Sequence, residues 1–191
     1  ALSVEATTAA PTTAAPQACC NVYLAHFLGK PCTAGWVPRG CRINSSVKIL
    51  SELIAFKSIS GEDNNSIINY CEKIFNDLGA ESFKIYDSDK KRVNLFASLK
   101  SKIKSGKKPI ILSGHTDVVP VSKGWSSDPF KATIKDEKLY GRGSCDMKGF
   151  LACLLAYAPI FSNSKMDRDL HFSFTFDLSL IHIWRCRRHL L

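Results

Sequence analysis

Residues 43–177 predict an α/β domain, an incomplete and mostly parallel sheet flanked by helices. Three observations carry that expectation. Two stretches with apolar residues at helical spacing come first, short alternating or all-apolar runs follow, and a third helical stretch separates the last two strands. Helices and strands in alternation build layered α/β domains.

Each element has its own justification. Val47, Ile49, Leu50, Leu53, Ile54 and Phe56 keep to one helical face, with Ser45 or Ser46 as N-cap. Residues 61–64 make a polar turn. A second helix runs through Ile67, Ile68, Cys71, Ile74, Phe75 and Leu78, and Gly79 stops it. Residues 82–86 and 93–99 alternate apolar and polar side chains, as strands partly exposed on one face do. A Lys-rich loop then leads into residues 109–112, a nearly all-apolar run that suits a strand covered on both faces. Residues 132–135 and 138–140 form a small hairpin around Asp136 and Glu137. From Met147 to about Phe161 the helix is apolar nearly all round, at Phe150, Leu151, Leu154, Leu155 and Tyr157, so it should be buried. Finally Leu170, Phe172, Phe174 and Phe176 alternate with His171, Ser173 and Thr175, predicting a strand with one strongly buried face.

The two ends read differently. Residues 1–18 are an Ala/Thr/Pro tract with too little large apolar surface to fold. Residues 19–42 are rich in Cys, Gly, Pro and Trp, and Cys19, Cys20, His26, Cys32 and Cys41 match no paired C-x-x-C zinc pattern. Residues 1–42 are therefore expected to be disordered or foreign, such as a tag or linker. These ends also explain most of the formal charge of +9. They hold six of the 26 Lys+Arg and one of the 17 Asp+Glu, which leaves 20 basic against 16 acidic groups in the middle. Lys100, Lys102, Lys104, Lys107 and Lys108 supply most of that residue of charge, with no aromatic side chains between them for base stacking. A solvated loop is the reading, and no nucleic-acid partner is expected. Cys71, Cys145 and Cys153 are unspaced and read as reduced thiols of a cytoplasmic protein. No run reaches the roughly 18 apolar residues of a membrane span, so no membrane partner is expected.

The chemistry gathers in two clusters, Ser113-Gly114-His115-Thr116-Asp117 and Gly141-Arg142-Gly143-Ser144-Cys145-Asp146-Met147-Lys148-Gly149. His115 lies just past an apolar strand, where open α/β sheets deliver side chains into a ligand crevice. Asp117 should project to the same side and could accept a hydrogen bond from the imidazole nitrogen that faces away from a metal. Asp146 stands at the start of the apolar helix, where a capping role competes with a ligand role. Three glycines around it favour a constrained loop, as a carboxylate between two cations needs. Zinc accepts both imidazole and carboxylate ligands. Cys145 has no neighbouring His to activate it as a nucleophile.

Residues 113–120, the Trp125-Ser126-Ser127-Asp128-Pro129-Phe130 loop and residues 139–150 together resemble the zinc aminoacylase and deacylase metallopeptidases, a family that includes acetylornithine deacetylase, succinyl-diaminopimelate desuccinylase and carboxypeptidases. The resemblance runs from about residue 43 to 177 and implies part of a zinc-peptidase-like catalytic domain. It implies that His115 binds one zinc, that Asp146 bridges two, and that Asp117 is a catalytic residue orienting His115. Two zinc ions are implied for the complete enzyme, with cobalt as an alternative. The implied reaction is hydrolysis of an N-acyl amino acid, N-acetylornithine foremost, in arginine biosynthesis; Asp128 is read as structural.

The chain also departs from that pattern. After the last strand the family expects Asp followed by two glutamates, a general base and a further ligand, whereas Asp177 is followed by Leu178 and Ser179. The remaining ligands and a lid domain that would mediate homodimerisation have no counterpart, and residues 178–191 resemble a translated sequencing adapter. The expectation is an N-terminal fragment, 43–177, that is itself inactive. Two other readings stay open: a desuccinylase or dipeptidase-like relative, and a non-catalytic basic binding protein.

Overall fold

The computed structural model describes residues 43–103, 105–135 and 138–176 of the 191. The expectations for residues 1–42, Asp177 and residues 178–191 lie outside the described residues.

Helix α1 spans Ile43–Ala55 and α2 spans Asn65–Asp77. Ser45 and Ser46 fall inside the first turn of α1 rather than before it, so neither is the expected N-cap. Gly79 ends α2 as foreseen, through its left-handed φ of 71°. Its N–H bonds the Asn76 carbonyl at 2.9 Å and the Ala80 N–H bonds the Phe75 carbonyl at 3.1 Å. That paired closure satisfies carbonyls a helix end otherwise leaves open.

Strands β1 (Glu81–Tyr86), β2 (Val93–Leu99), β3 (Ile110–His115) and β6 (Leu170–Thr175) form one sheet in the order β1-β2-β6-β3. Between β3 and β6 come the hairpin β4 (Thr133–Lys135) and β5 (Lys138–Tyr140) and then helix α3, Lys148–Asn163. The sheet is mixed rather than mostly parallel: β3 and β6 pair in parallel, whereas β1–β2 and β2–β6 are antiparallel. A tight turn explains the first antiparallel pair. The Asp87 N–H reaches the Arg92 carbonyl at 2.9 Å, so the chain reverses directly from β1 into β2. β3 and β6, by contrast, are joined through α3, the crossover that parallel pairing requires.

The helices pack on the face that carries Leu95, Leu112, Phe172 and Phe174. Phe75 of α2 lies 4.7 Å from Phe172 and 5.7 Å from Phe174, centroid to centroid. Each such fully buried side chain stabilises the fold by roughly 1.5–3 kcal/mol. α3 is buried along Leu151, Leu154 and Leu155 as its composition predicts. The opposite face differs from expectation. Ile111 is 59% exposed, and Phe83 and Ile85 are 53% and 55% exposed, so among the described residues β3 is covered on one face only.

Lys100, Lys102, Lys107 and Lys108 of the basic loop stand exposed, and two of them meet carboxylates. Lys100 lies 3.4 Å from Glu81 and 3.5 Å from Asp169, and Lys107 pairs with Asp167. Cys71 and Cys145 carry free thiols, whereas Cys153 is disulfide-bonded, so the reduced-thiol expectation holds for two of the three. Among the described residues no helix is long and apolar enough to cross a membrane.

Candidate metal centre

β3 ends on His115, which pairs with Thr175 at the edge of the sheet. The chain beyond it stays held. Thr116 N–H bonds the Thr175 carbonyl at 2.9 Å, Val118 N–H bonds the Ser58 carbonyl at 2.8 Å, and Ser60 N–H bonds the Val118 carbonyl at 2.9 Å. The segment after α1 thus runs beside 116–118 as a strut, with a parallel bridge between Ile59 and Val118. Ser58 Oγ adds a bond to the Thr116 carbonyl at 2.7 Å.

This framework brings His115 and Asp117 together. His115 Nδ1 lies 2.9 Å from the Asp117 backbone carbonyl and 3.3 Å from Asp117 Oδ1. Both oxygens only accept, so Nδ1 carries a proton. On the other edge of the ring Nε2 lies 3.1 Å from Asp146 Oδ1. A bare imidazole nitrogen and a carboxylate both present lone pairs, so positive charge belongs between them, either a proton or a cation. Burial works against a charged His115, yet the carboxylates of Asp117 and Asp146 outweigh it and raise the imidazole to about 10. A metal ion would compete with that Nε2 proton. Two ligands bonded to one zinc at roughly 2.0–2.2 Å stand roughly 3–3.5 Å apart, so the separation of 3.1 Å fits one ion. No group of three or more His, Cys, Asp and Glu side chains gathers among the described residues, which thus offer two ligands.

Asp146 sits on the loop before α3. The N-cap of α3 is Met147, without a side-chain capping bond, and the Asp146 carboxylate faces His115 instead. The glycines constrain this loop as expected. Gly143 has φ of 81°, and a Cβ there would stand 2.6 Å from Val118 Cγ1. A Cβ on Gly149 would stand 2.3 Å from the Ser144 carbonyl oxygen. Lys148 locks the loop from below. Its Nζ donates to the Phe56 carbonyl at 2.7 Å and its N–H to the Gly143 carbonyl at 2.9 Å. Desolvation lowers its pKa to about 8 against the opposing pull of Cys71 and Asp117.

A cleft of about 380 Å³ opens over His115 and Asp146, walled by Val118, Trp125 and Arg142. The Arg142 guanidinium lies over the Trp125 ring, 5.2 Å from its centroid. Asp128 does structural work, accepting the Phe130 N–H at 2.9 Å in an Asx turn. Two residues near the site carry no sequence signal, Ser58 and Ser60. Lys148 stands in the second cluster, but its burial as an amine beneath the loop is seen only in the structure.

Residues 111–177 match the model of Peptidase family M20/M25/M40. Over 141 residues, 69% of this chain, the sequence is 37% identical to the acetylornithine deacetylase of Yersinia pseudotuberculosis serotype O:1b (strain IP 31758). The acetylornithine deacetylase of Proteus mirabilis (strain HI4320) is 33% identical over 144 residues, 71% of the chain. The chain spans 36% of the length of each of these relatives. Among solved structures, human carnosine dipeptidase 1 is similar with a TM-score of 0.59 at 24% identity, over 70% of this chain and 32% of that one. Aminopeptidase PepT from Bacillus cereus gives a TM-score of 0.56 at 24% identity, over 70% of this chain and 36% of that one. These structural likenesses speak for the fold alone: a mixed sheet with helices packed against it.

Proposed function

We propose that the longer protein, whose residues 111–177 match Peptidase family M20/M25/M40, is a metal-dependent hydrolase of N-acyl amino acids. One observation carries the reading: His115 Nε2 and Asp146 Oδ1 stand 3.1 Å apart at the mouth of a cleft, while His115 Nδ1 is held by Asp117. His115 and Asp146 would hold the ion, zinc first and cobalt as an alternative, and Asp146 would be shared between two ions in the complete enzyme. Such an ion polarises an acyl carbonyl and acidifies water when bound. Asp117 keeps the His115 proton on Nδ1, so that Nε2 presents its lone pair to the cleft. Trp125 and Arg142 line the cleft, and the acyl amino acid would rest against them.

The substrate we propose is N-acetylornithine, deacetylated to ornithine and acetate in arginine biosynthesis. The acetylornithine deacetylases, at 33–37% identity, support that choice over a desuccinylase or a dipeptidase. Residues 43–177 form the N-terminal part of the catalytic domain, with residues 1–42 and 178–191 foreign to it. The complete protein works in the cytoplasm as a homodimer joined by a lid domain. The 191-residue chain alone is expected to be inactive, because among the described residues His115 and Asp146 are the ligands on offer, too few for a pair of ions. The test uses the full-length protein loaded with zinc, assayed on N-acetylornithine, succinyl-diaminopimelate and a dipeptide. Acetate release that falls at least a thousandfold in His115→Ala and in Asp146→Ala is expected; release undiminished in both variants overturns the proposal.

A further inference from the structure

The Asp117 carboxylate is hydrogen-bonded at one end and faces the imidazole at the other. Its Oδ1 faces His115 Nδ1 at 3.3 Å, and its Oδ2 accepts the hydroxyl of Ser60 at 2.5 Å. Ser60 Oγ also lies 3.2 Å from the Val118 carbonyl, but a hydroxyl has one proton and the shorter, charge-assisted bond to the carboxylate takes it. The backbone N–H of Ser60 meanwhile bonds the Val118 carbonyl at 2.9 Å, which fixes where the hydroxyl points. Asp117 itself is 2% exposed, so a rotation of its carboxylate has little solvent to turn into.

We infer that Ser60 is a positioning residue: its hydroxyl clamps the Asp117 carboxylate in the rotamer that keeps the Oδ1 charge beside His115 Nδ1, whose proton the Asp117 backbone carbonyl accepts, and so favours Nε2 presenting its lone pair to the cleft. Ser60 acts through Asp117 and touches no reacting atom. The inference rests on the reading of His115 as a ligand, since aiming Nε2 matters only if something binds there. Ser58 provides the contrast. Its hydroxyl bonds the Thr116 carbonyl in the same strut, at 2.7 Å, without meeting Asp117.

The test takes the full 191-residue chain labelled with ¹⁵N-histidine, metal-free, and follows exchange of the His115 Nδ1–H with solvent by NMR, assigned through His115→Ala. Ser60→Ala should speed that exchange about tenfold or more, the scale of losing one charge-assisted hydrogen bond. Ser60→Thr, which keeps the hydroxyl, should restore it. Ser58→Ala should leave it within twofold of the parent while still lowering the melting temperature. Should Ser60→Ala not fold, Ser60→Cys supplies a near-isosteric weak donor, with faster exchange again expected. Exchange unchanged in the Ser60 variants, or equally fast in Ser58→Ala, overturns the clamp. A separate addition of zinc to the complete protein, likewise labelled, reads the underlying ligand assignment. No movement of the His115 Nε2 resonance with zinc defeats that assignment, whatever the Ser60 variants do.

Discussion

The two halves of the site are built on opposite terms. His115 and Asp117 are 7% and 2% exposed and are tied to the strut after α1 and to β6. Asp146 keeps 85% of its side chain in solvent and depends on a glycine-bearing loop for its place. One ligand is oriented in a dry environment by the Asp117 backbone carbonyl with the Asp117 carboxylate beside it; the other is placed by a glycine-bearing loop and left accessible. The difference teaches that a shared site needs no shared construction. The buried half fixes direction, and the exposed half can meet further groups.

The sharpest way to break the exposed half is through its backbone. A Cβ at Gly149 would stand 2.3 Å from the Ser144 carbonyl oxygen, a backbone atom that cannot swing aside. Gly149→Ala should cost roughly 3 kcal/mol or more, as overpacking does, and lower the melting temperature by about 6–12 °C for a chain of this size. Thermal unfolding followed by circular dichroism measures it, and a change under 2 °C would show that the loop has room which the geometry denies.

The buried half should break through chemistry with little loss of fold. Asp117→Asn keeps the shape but removes the charge that holds the His115 proton. In the complete protein we expect zinc affinity to fall about 10- to 100-fold, the usual effect of altering a carboxylate behind a metal-binding histidine. Isothermal titration with zinc reads this directly. An unchanged dissociation constant would mean that the Asp117 backbone carbonyl, 2.9 Å from Nδ1, orients the ring alone.

These contrasts also mark what the sequence disclosed. Periodicity located every helix and strand of the described residues, because faces are written at fixed spacings along the chain. Leu170, Phe172 and Phe174 are buried as their alternation demands. Strand neighbours are not written there: nothing local in 93–99 or 170–176 says that β6 enters between β2 and β3, or that β2 and β6 run antiparallel. The burial forecast for 109–112 failed at Ile111 because an apolar run reports what a strand can bury, and among the described residues no helix lies on that face. Within the site, His115, Asp117 and Asp146 stood in two dense motifs and were legible. Ser60 was not, since its partner lies 57 residues away and Ser-Ile-Ser-Gly reads as ordinary turn chemistry.

Lys148 belongs to both halves and offers a pH test of their coupling. Its pKa falls in the fold from 10.5 to about 8, with desolvation the leading cause. Between those values the unfolded chain binds the extra proton, so this residue's contribution to stability rises with pH from about 8 to 10.5 and is most unfavourable below 8. Lys148→Met removes the contribution together with the bond to Phe56. Urea unfolding of both proteins at pH 7, 9 and 10.5 should show the parent gaining on the variant as pH rises; a constant difference would mean that the amine titrates alike in both states.

The smallest effect is kinetic and leaves the fold untouched. Cys145 is exposed beside Asp146, whereas Cys71 is buried on the inner face of α2 and burial pushes its thiol up to about 12. A thiol reacts as its thiolate, so both access and ionisation protect Cys71. Under native conditions iodoacetamide should label Cys145 within minutes and Cys71 only as the domain opens, which mass spectrometry of the peptides resolves. Gly149→Ala should accelerate Cys71 labelling through lost stability, while Asp117→Asn should leave it near the parent rate. Should Asp117→Asn expose Cys71 as strongly as Gly149→Ala does, the buried half would owe its order to the same global packing as the loop. The contrast between the buried and the exposed half would then collapse.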